Sequence, residues 1–270
     1  MRCPNSSSRN ARSSSSGSTV ATPPQADKPI DLSVLNALDA NGAISVGSLT
    51  AAGLKLEAFR AHVKLARGHL DLSPLSANLY QGSMKGAIGI DAAAHRFTMR
   101  EQLANVAIGP LLRDLSDKDL LEGRGTLTLD VTTTGQSVAA IKRGLGGTGA
   151  FTLRDAAVKG INLADLYRKG QALAGGRGVQ DIAATKTEKT DFSELVGTFT
   201  MQNGVAHNAD LVGRSPFLRL TGAGDVDIGE GRVNYTATVQ TTGSATGQGG
   251  RDQDPRRGVT IPVQVAGTFD

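Results

Sequence analysis

Apolar and polar residues alternate in short runs along most of this chain, and that period of two constrains its fold more than any other feature. In GTLTLDVTTT, Leu127, Leu129 and Val131 point to one side while Thr126, Thr128, Asp130 and Thr132 point to the other. FLRLTGAGDVDI carries Leu218, Leu220, Val226 and Ile228 in one phase, with Gly222 and Gly224 between them. Val233, Tyr235, Ala237 and Val239 alternate in the next run, and Val259, Ile261, Val263 and Val265 in the last. Successive side chains of a strand leave on opposite faces, so such runs specify strands with one apolar and one wet face. The expectation is a mainly β protein: a curved antiparallel sheet, as an open groove or an incomplete barrel or sandwich, with two or three short helices.

The punctuation between runs agrees. Asn203-Gly204 separates FTMQ from VAHNADLV and predicts a type I′ hairpin, whose two central residues both need positive φ. Arg67-Gly68 predicts the same between VKLA and HLDL. Gly229-Glu230, with Gly first, predicts a two-residue type II′ turn joining 217–228 to 231–240. Pro262 interrupts the last run on its polar side; lacking an N–H for the ladder, it marks that strand as an edge. Helices are expected at 136–146, with Ser137 as N-cap, and at 162–174, with a shorter turn at 110–115. Residues 175–190 are expected to form a mobile connection.

Val, Ile, Leu and Phe make up 63 of 270 residues, enough for a core but a lean one, with three Tyr and no Trp. No window reaches the ~18 consecutive apolar residues of a membrane-spanning helix. Cys3 is the only cysteine, which excludes an intrachain disulfide and thiolate metal sites. The net charge of +4 is spread along the chain without basic residues interleaved with aromatics, so no nucleic-acid partner is expected. Arg251, Arg256 and Arg257 are offset by Asp252 and Asp254 and read as a solvated loop. Residues 1–28 are Ser-rich and poor in apolar residues, the composition of a disordered tail or linker, and lack the apolar core of a signal peptide. Residues 29–270 read as one β-rich domain.

That domain carries an internal repeat, about 41–92 and 148–228. NGAISVGSLTAAGLKLEAF resembles TGAFTLRDAAVKGINLADL, with Gly42 and Gly53 eleven residues apart, as are Gly149 and Gly160. ARGHLDLSPLSANLYQGSMKGAIGIDA matches MQNGVAHNADLVGRSPFLRLTGAGDVDI, with Gly68 to Gly86 and Gly204 to Gly222 both spanning eighteen. Copies of a hairpin unit that cannot cover its own apolar face are expected to stack into one continuous sheet.

Motifs of catalysis are weak. Gly144 to Gly149 spells GxGxxG, but a helical segment precedes it and a strand follows, the reverse of a dinucleotide site. Asp225, Asp227 and Gly229 lack the remaining ligands of a calcium loop and sit on the wet phase. His62, His69, His95 and His207 lack metal-ligand spacing, and GxSxG and P-loop patterns are absent. No enzyme activity, cofactor or metal is expected; a hydrolase with an unrecognised site is the remaining catalytic reading, answered by broad substrate screening.

The blocks PIDLSVLNALDANGAISVGSLTAAGLKL, LANVAIGPLLRDLSDKDLLEGRGTLTLDVTTTGQSVAAIKRGLGGTGAFTLRDAAVKGINL and VTIPVQVAGTFD resemble the C-terminal region of the AsmA family, bacterial envelope proteins related to TamB and the bridge-like lipid transporters. The resemblance covers roughly 29–270. It implies a non-enzymatic module of outer-membrane biogenesis that contacts or conducts phospholipid between the inner and outer membranes. It also implies a place on the periplasmic side of the envelope, anchored in the inner membrane in full-length relatives. This sequence shows no such anchor and stops at GTFD where relatives run on, as expected of a fragment. The alternative is a scaffold assisting outer-membrane protein assembly or targeting, with assembly proteins as partners and the last strand as docking edge. Under the lipid reading, the groove residues are the alternating apolar set: Leu127, Leu129, Val131, Leu218, Leu220, Val226, Ile228, Val233, Tyr235, Val239, Ile261, Val263 and Val265. Gly222, Gly224, Ala237 and Gly267 would leave room beside them. Leu220→Glu or Val263→Glu is then expected to strip bound lipid without unfolding the domain.

Overall fold

The structure, a computed structural model, describes residues 27–51, 53–116, 119–160, 162, 188–216, 218–241 and 260–268. Six strands precede the Gly-rich segment: β1 (Ala40–Ala51), β2 (Leu54–Ala66), β3 (His69–Leu79), β4 (Gly82–Asp91), β5 (Arg96–Ala107) and β6 (Leu121–Thr134). Six more follow: β7 (Gly146–Lys159), β8 (Lys189–Gln202), β9 (Val205–Arg214), β10 (Leu218–Asp227), β11 (Arg232–Thr241) and β12 (Thr260–Thr268). Three short helices, α1 (Ser33–Asn36), α2 (Ile108–Ser116) and α3 (Val138–Arg143), complete the described elements. All twelve strands lie in one sheet in chain order, each antiparallel to the next, and β1 does not meet β12. The protein is mainly β and its sheet is unclosed.

The local signals act as their chemistry requires, with one exception. Asn203 and Gly204 have φ of 52 and 78 between the paired Gln202 and Val205, and Arg67 and Gly68 repeat this at 52 and 78. Tyr80 and Gln81 make a third two-residue turn with positive φ and no glycine. Pro262 lies in β12, which pairs with β11 alone, so the strand is an edge. The β10–β11 connection differs from expectation. It is a four-residue turn, Ile228 to Gly231, in which Asp227 Oδ1 accepts the Glu230 N–H and Gly231 takes the positive φ. Ile228 therefore lies in a turn and not in the strand. The Ser137 hydroxyl accepts the Ala140 N–H and caps α3, and Gly144 ends it before Gly146 opens β7. The helix expected at 162–174, most of the connection at 175–190 and nearly all of residues 1–28 fall outside the described residues; Lys189 and Thr190 already belong to β8.

A flat sheet one layer deep would leave its apolar side chains half in water. Here Val106 is wholly buried and Leu75, Leu79, Phe192 and Val239 are each 2% exposed, although among the described residues no second sheet covers them. The apolar face must curl over itself. It does so around two clusters: Leu56, Phe59, Leu75, Leu79 and Val106 with Leu111 of α2, and Leu153, Phe192, Leu195, Leu218, Leu220 and Val239. Ile108, the first residue of α2, packs against both. β-Bulges assist the curl. Ala58, Asn105 and Asp155, at φ of 49, 56 and 48, lie where β2, β5 and β7 each carry one extra residue relative to a neighbour. An extra residue bends its strand, increases the twist and shifts the side-chain phase by one.

Candidate functional site

Cross-strand register assembles the apolar face row by row. Leu103, Leu127 and Phe151 are direct neighbours across β5, β6 and β7. The next rows run Glu101, Leu129, Gly149 and Phe199, then Met99, Val131, Gly147 and Met201. At the other margin, Leu220 faces Val239 and Ile261, Gly222 faces Ala237 and Val263, Gly224 faces Tyr235 and Val265, and Val226 faces Val233 and Gly267. Eleven of the thirteen residues expected on this face thus fall into two patches, one on β6 and one on β10–β12; Ile261 is known by its register opposite Val239, and Ile228 lies in the turn.

These positions differ in how open they are. Val131, Leu218, Leu220 and Val239 are buried, the last three inside the second cluster. Leu127, Leu129, Val226, Val233, Tyr235 and Val263 are half-buried, and Val265 is 39% exposed. Ile44 and Val46 on the opposite edge strand are 43% and 36% exposed, on the same face as the buried Ala61 and Phe59 that they pair with. The face is covered by its own atoms along the middle and bare at both margins. An apolar hollow of about 520 Å³ opens along β1–β4 beside Ile44, Ala61, Pro74, Leu75 and Gly86.

Glycine plays a different part from the one expected. A Cβ on Gly149 would collide with the ring of Phe199, and one on Gly197 would come 3.0 Å from Phe151 Cζ. The ring of Tyr235 lies over Gly222 and Gly224, 2.7 Å from where a Gly222 Cβ would be. These glycines seat aromatic rings from neighbouring strands and leave no empty room. Gly267 is the exception, with nothing within 4 Å.

Among the described residues, polar groups on this face are few and, with one exception, satisfied. The Tyr235 hydroxyl donates to Asn208 Oδ1, and Asn208 Nδ2 donates to Thr198 O at 2.6 Å and to Asp210 Oδ1 at 2.8 Å. Burial, reinforced by the Asp210 carboxylate, pushes the Tyr235 hydroxyl up to about 12. Hydrogen bonds from the Thr198 backbone and hydroxyl hold Asp210 below the usual carboxylate range. The exception is Glu101, 6% exposed, with neither carboxylate oxygen hydrogen-bonded. It lies across Gly86, and burial raises it from the ordinary 4.5 to about 7. Near one end of the strands, Asp114 of α2 accepts from Tyr80 at 2.7 Å and pairs with Lys55 at 2.9 Å, tying the helix to β2 and the β3–β4 turn. Both interactions hold its carboxyl low.

Alternation within one run missed several residues that line this face. Leu56 and Phe59, Leu103 and Val106, and Leu153 and Ala156 are spaced by three, because a bulge lies between each pair. Among the described residues no group of His, Cys, Asp and Glu could hold a metal ion, and no helix is long and apolar enough to cross a membrane.

The sheet is long, unclosed and one layer deep with a single apolar face, and the AsmA family model matches residues 4–211 of the chain that builds it. This chain belongs to the AsmA family. It is 22% identical over 206 residues to Protein AsmA of Escherichia coli (strain K12), a match covering 75% of this chain and 33% of that protein. The chain thus spans about a third of the length of its curated AsmA relative. No solved structure matches it. Membership in the AsmA family supports a role in the cell envelope in general, and the family is not known as enzymatic.

Proposed function

We propose that this chain is a non-enzymatic lipid-contacting segment of an AsmA-type envelope protein, holding phospholipid acyl chains along the apolar face of its curled sheet. The supporting observation is the bare margin of that face: Ile44 and Val46 on one edge strand and Val265 on the other stay exposed, while the half-buried Leu127, Leu129, Val233, Tyr235 and Val263 continue the apolar surface inward. Each methylene moved from water onto such a surface contributes ~0.8 kcal/mol, so a few contacts bind an acyl chain weakly enough to slide. A function on the periplasmic side, moving phospholipid between the two membranes, follows if the sheet forms part of a longer path in the full-length protein.

The test is mass spectrometry of lipid retained by the purified chain and by Val263→Glu. Val263 is half-buried and packs against the second cluster from its rim, so urea unfolding of Val263→Glu accompanies the measurement; Leu220, 7% exposed inside that cluster, is unsuitable, because a carboxylate there would disrupt the core itself. Loss of phospholipid from Val263→Glu, with retention by Gln264→Glu on the opposite face, is expected. Equal phospholipid in the parent and Val263→Glu contradicts the proposal.

A further inference from the structure

The wet face carries a feature that lipid contact does not use. Register places Arg124 of β6 opposite Arg154 of β7, Arg154 opposite Glu194 of β8, Glu194 opposite Arg214 of β9, and Arg214 opposite Arg219 of β10. One transverse row thus holds four arginines and one glutamate, on the face opposite the apolar Gly125, Leu153, Leu195, Gly213 and Leu220. Like charges directly opposite each other across strands are destabilising, and here that happens twice in one row. The single carboxylate is committed: Glu194 pairs with Arg214.

The other end of the row has no such partner. Arg124 donates to Asn105 O at 3.2 Å and to Gln81 Oε1 at 2.9 Å, both uncharged acceptors. The Arg154 side chain makes no hydrogen bond or ion pair among the described residues, and Asp155, at the adjacent bulge, does not pair with it. Glu122, two residues before Arg124, is held by Lys159 at 2.6 Å. Beside these two arginines lies a hollow of about 380 Å³ lined by Asn105, Arg124, Gly125, Thr126, Thr152 and Arg154. Thr126 and Thr152 face each other across the same two strands, and both hydroxyls can donate.

We propose that Arg124, Arg154, Thr126 and Thr152 form an oxyanion site on the outer face that takes a phosphate group, either free or carried on a lipid headgroup. Two guanidinium forks with two hydroxyls match the oxygens of a phosphate, which accepts charge-assisted hydrogen bonds from several directions at once. The anion would also neutralise the Arg124–Arg154 pair that nothing else in the row offsets. The site lies on the opposite face from the proposed acyl contacts, so either can fail without the other.

The experiment measures binding of inorganic phosphate to the full chain by NMR titration, and of phosphatidylglycerol or phosphatidylcholine vesicles by flotation, for the parent, Arg154→Gln, and Arg124→Gln with Arg154→Gln together. These side chains are exposed, so the variants should fold as the parent does, which circular dichroism checks. Loss of one charge-assisted donor is expected to weaken phosphate binding by about tenfold, and loss of both further still. Vesicle binding that requires phosphatidylglycerol and disappears in the double variant identifies the source as a headgroup; phosphate binding without vesicle binding identifies it as free phosphate. If the parent binds neither phosphate nor phosphatidylglycerol vesicles, or the double variant binds as well as the parent, the proposal is overturned.

Discussion

Replacing Glu101 by Gln should make the protein's stability respond differently to pH, in a direction and over a window that the structure defines. Glu101 is buried without a hydrogen-bond partner, and its carboxyl is raised from the ordinary 4.5 to about 7 by burial. A group whose pKa is higher in the folded than in the unfolded chain favours folding when protonated. Its contribution is therefore fully present below pH 4.5, fades as the pH rises towards 7, and is absent above that. At ~1.36 kcal/mol per pH unit, a shift of this size corresponds to about 3 kcal/mol lost across the window. Gln has the same shape and cannot ionise. Its amide inherits the missing partners at every pH, which adds a constant offset that does not vary across the window. Urea unfolding of both proteins from about pH 4 to about pH 8.5 gives the variant-minus-parent difference, in which other titrating groups cancel because both chains share them. That difference should rise by about 3 kcal/mol between pH 4.5 and 7 and then level off. A difference that stays flat, or falls with rising pH, would refute the claim that Glu101 is buried and unpartnered.

Three further outcomes follow from the packing. Gly149→Ala should destabilise by ~1–3 kcal/mol because its methyl meets the Phe199 ring, and Phe199→Leu should relieve much of that cost in a double-mutant cycle followed by urea unfolding. Ile108→Ala should cost ~2 kcal/mol or more and loosen both clusters together, seen as reduced amide protection in strands β3 and β10 alike, since Ile108 packs on both. Tyr235→Phe leaves Asn208 Oδ1 without its donor and should cost ~1–2 kcal/mol. Spectrophotometric titration of the parent should show a tyrosine ionising only near pH 12, and that step should vanish in the variant.

Much of this architecture was legible because each strand states its own period. Leu127, Leu129 and Val131 needed only their spacing to be placed on one face, Asn203-Gly204 its tolerance of positive φ, and Pro262 its missing N–H. What escaped depends on neighbours that one strand does not record. Bulges at Ala58, Asn105 and Asp155 break the period, so Phe59, Val106 and Ala156 look out of phase although they lie inside. Gly222 and Gly224 suggested space, but the ring that fills it belongs to β11. Gly229-Glu230 suggested a two-residue turn because Asp227, whose side chain closes the longer one, also fits the polar phase of its own strand, which masks its turn chemistry. Glu101 was readable in principle: it stands in the apolar phase of Phe97, Met99 and Leu103, where a carboxylate calls for a reason. The buried set within the expected face, Val131, Leu218, Leu220 and Val239, could not be separated from the half-buried set without knowing how far the sheet curls.

Lipid contact along the apolar face is tested most directly by a photo-crosslinking side chain placed in turn at Val265 and at Gln264, adjacent positions on opposite faces of the edge strand, in cells making this protein. The account predicts phospholipid adducts at 265 and none at 264. Protein adducts at 265, or equal lipid labelling at both positions, would contradict it.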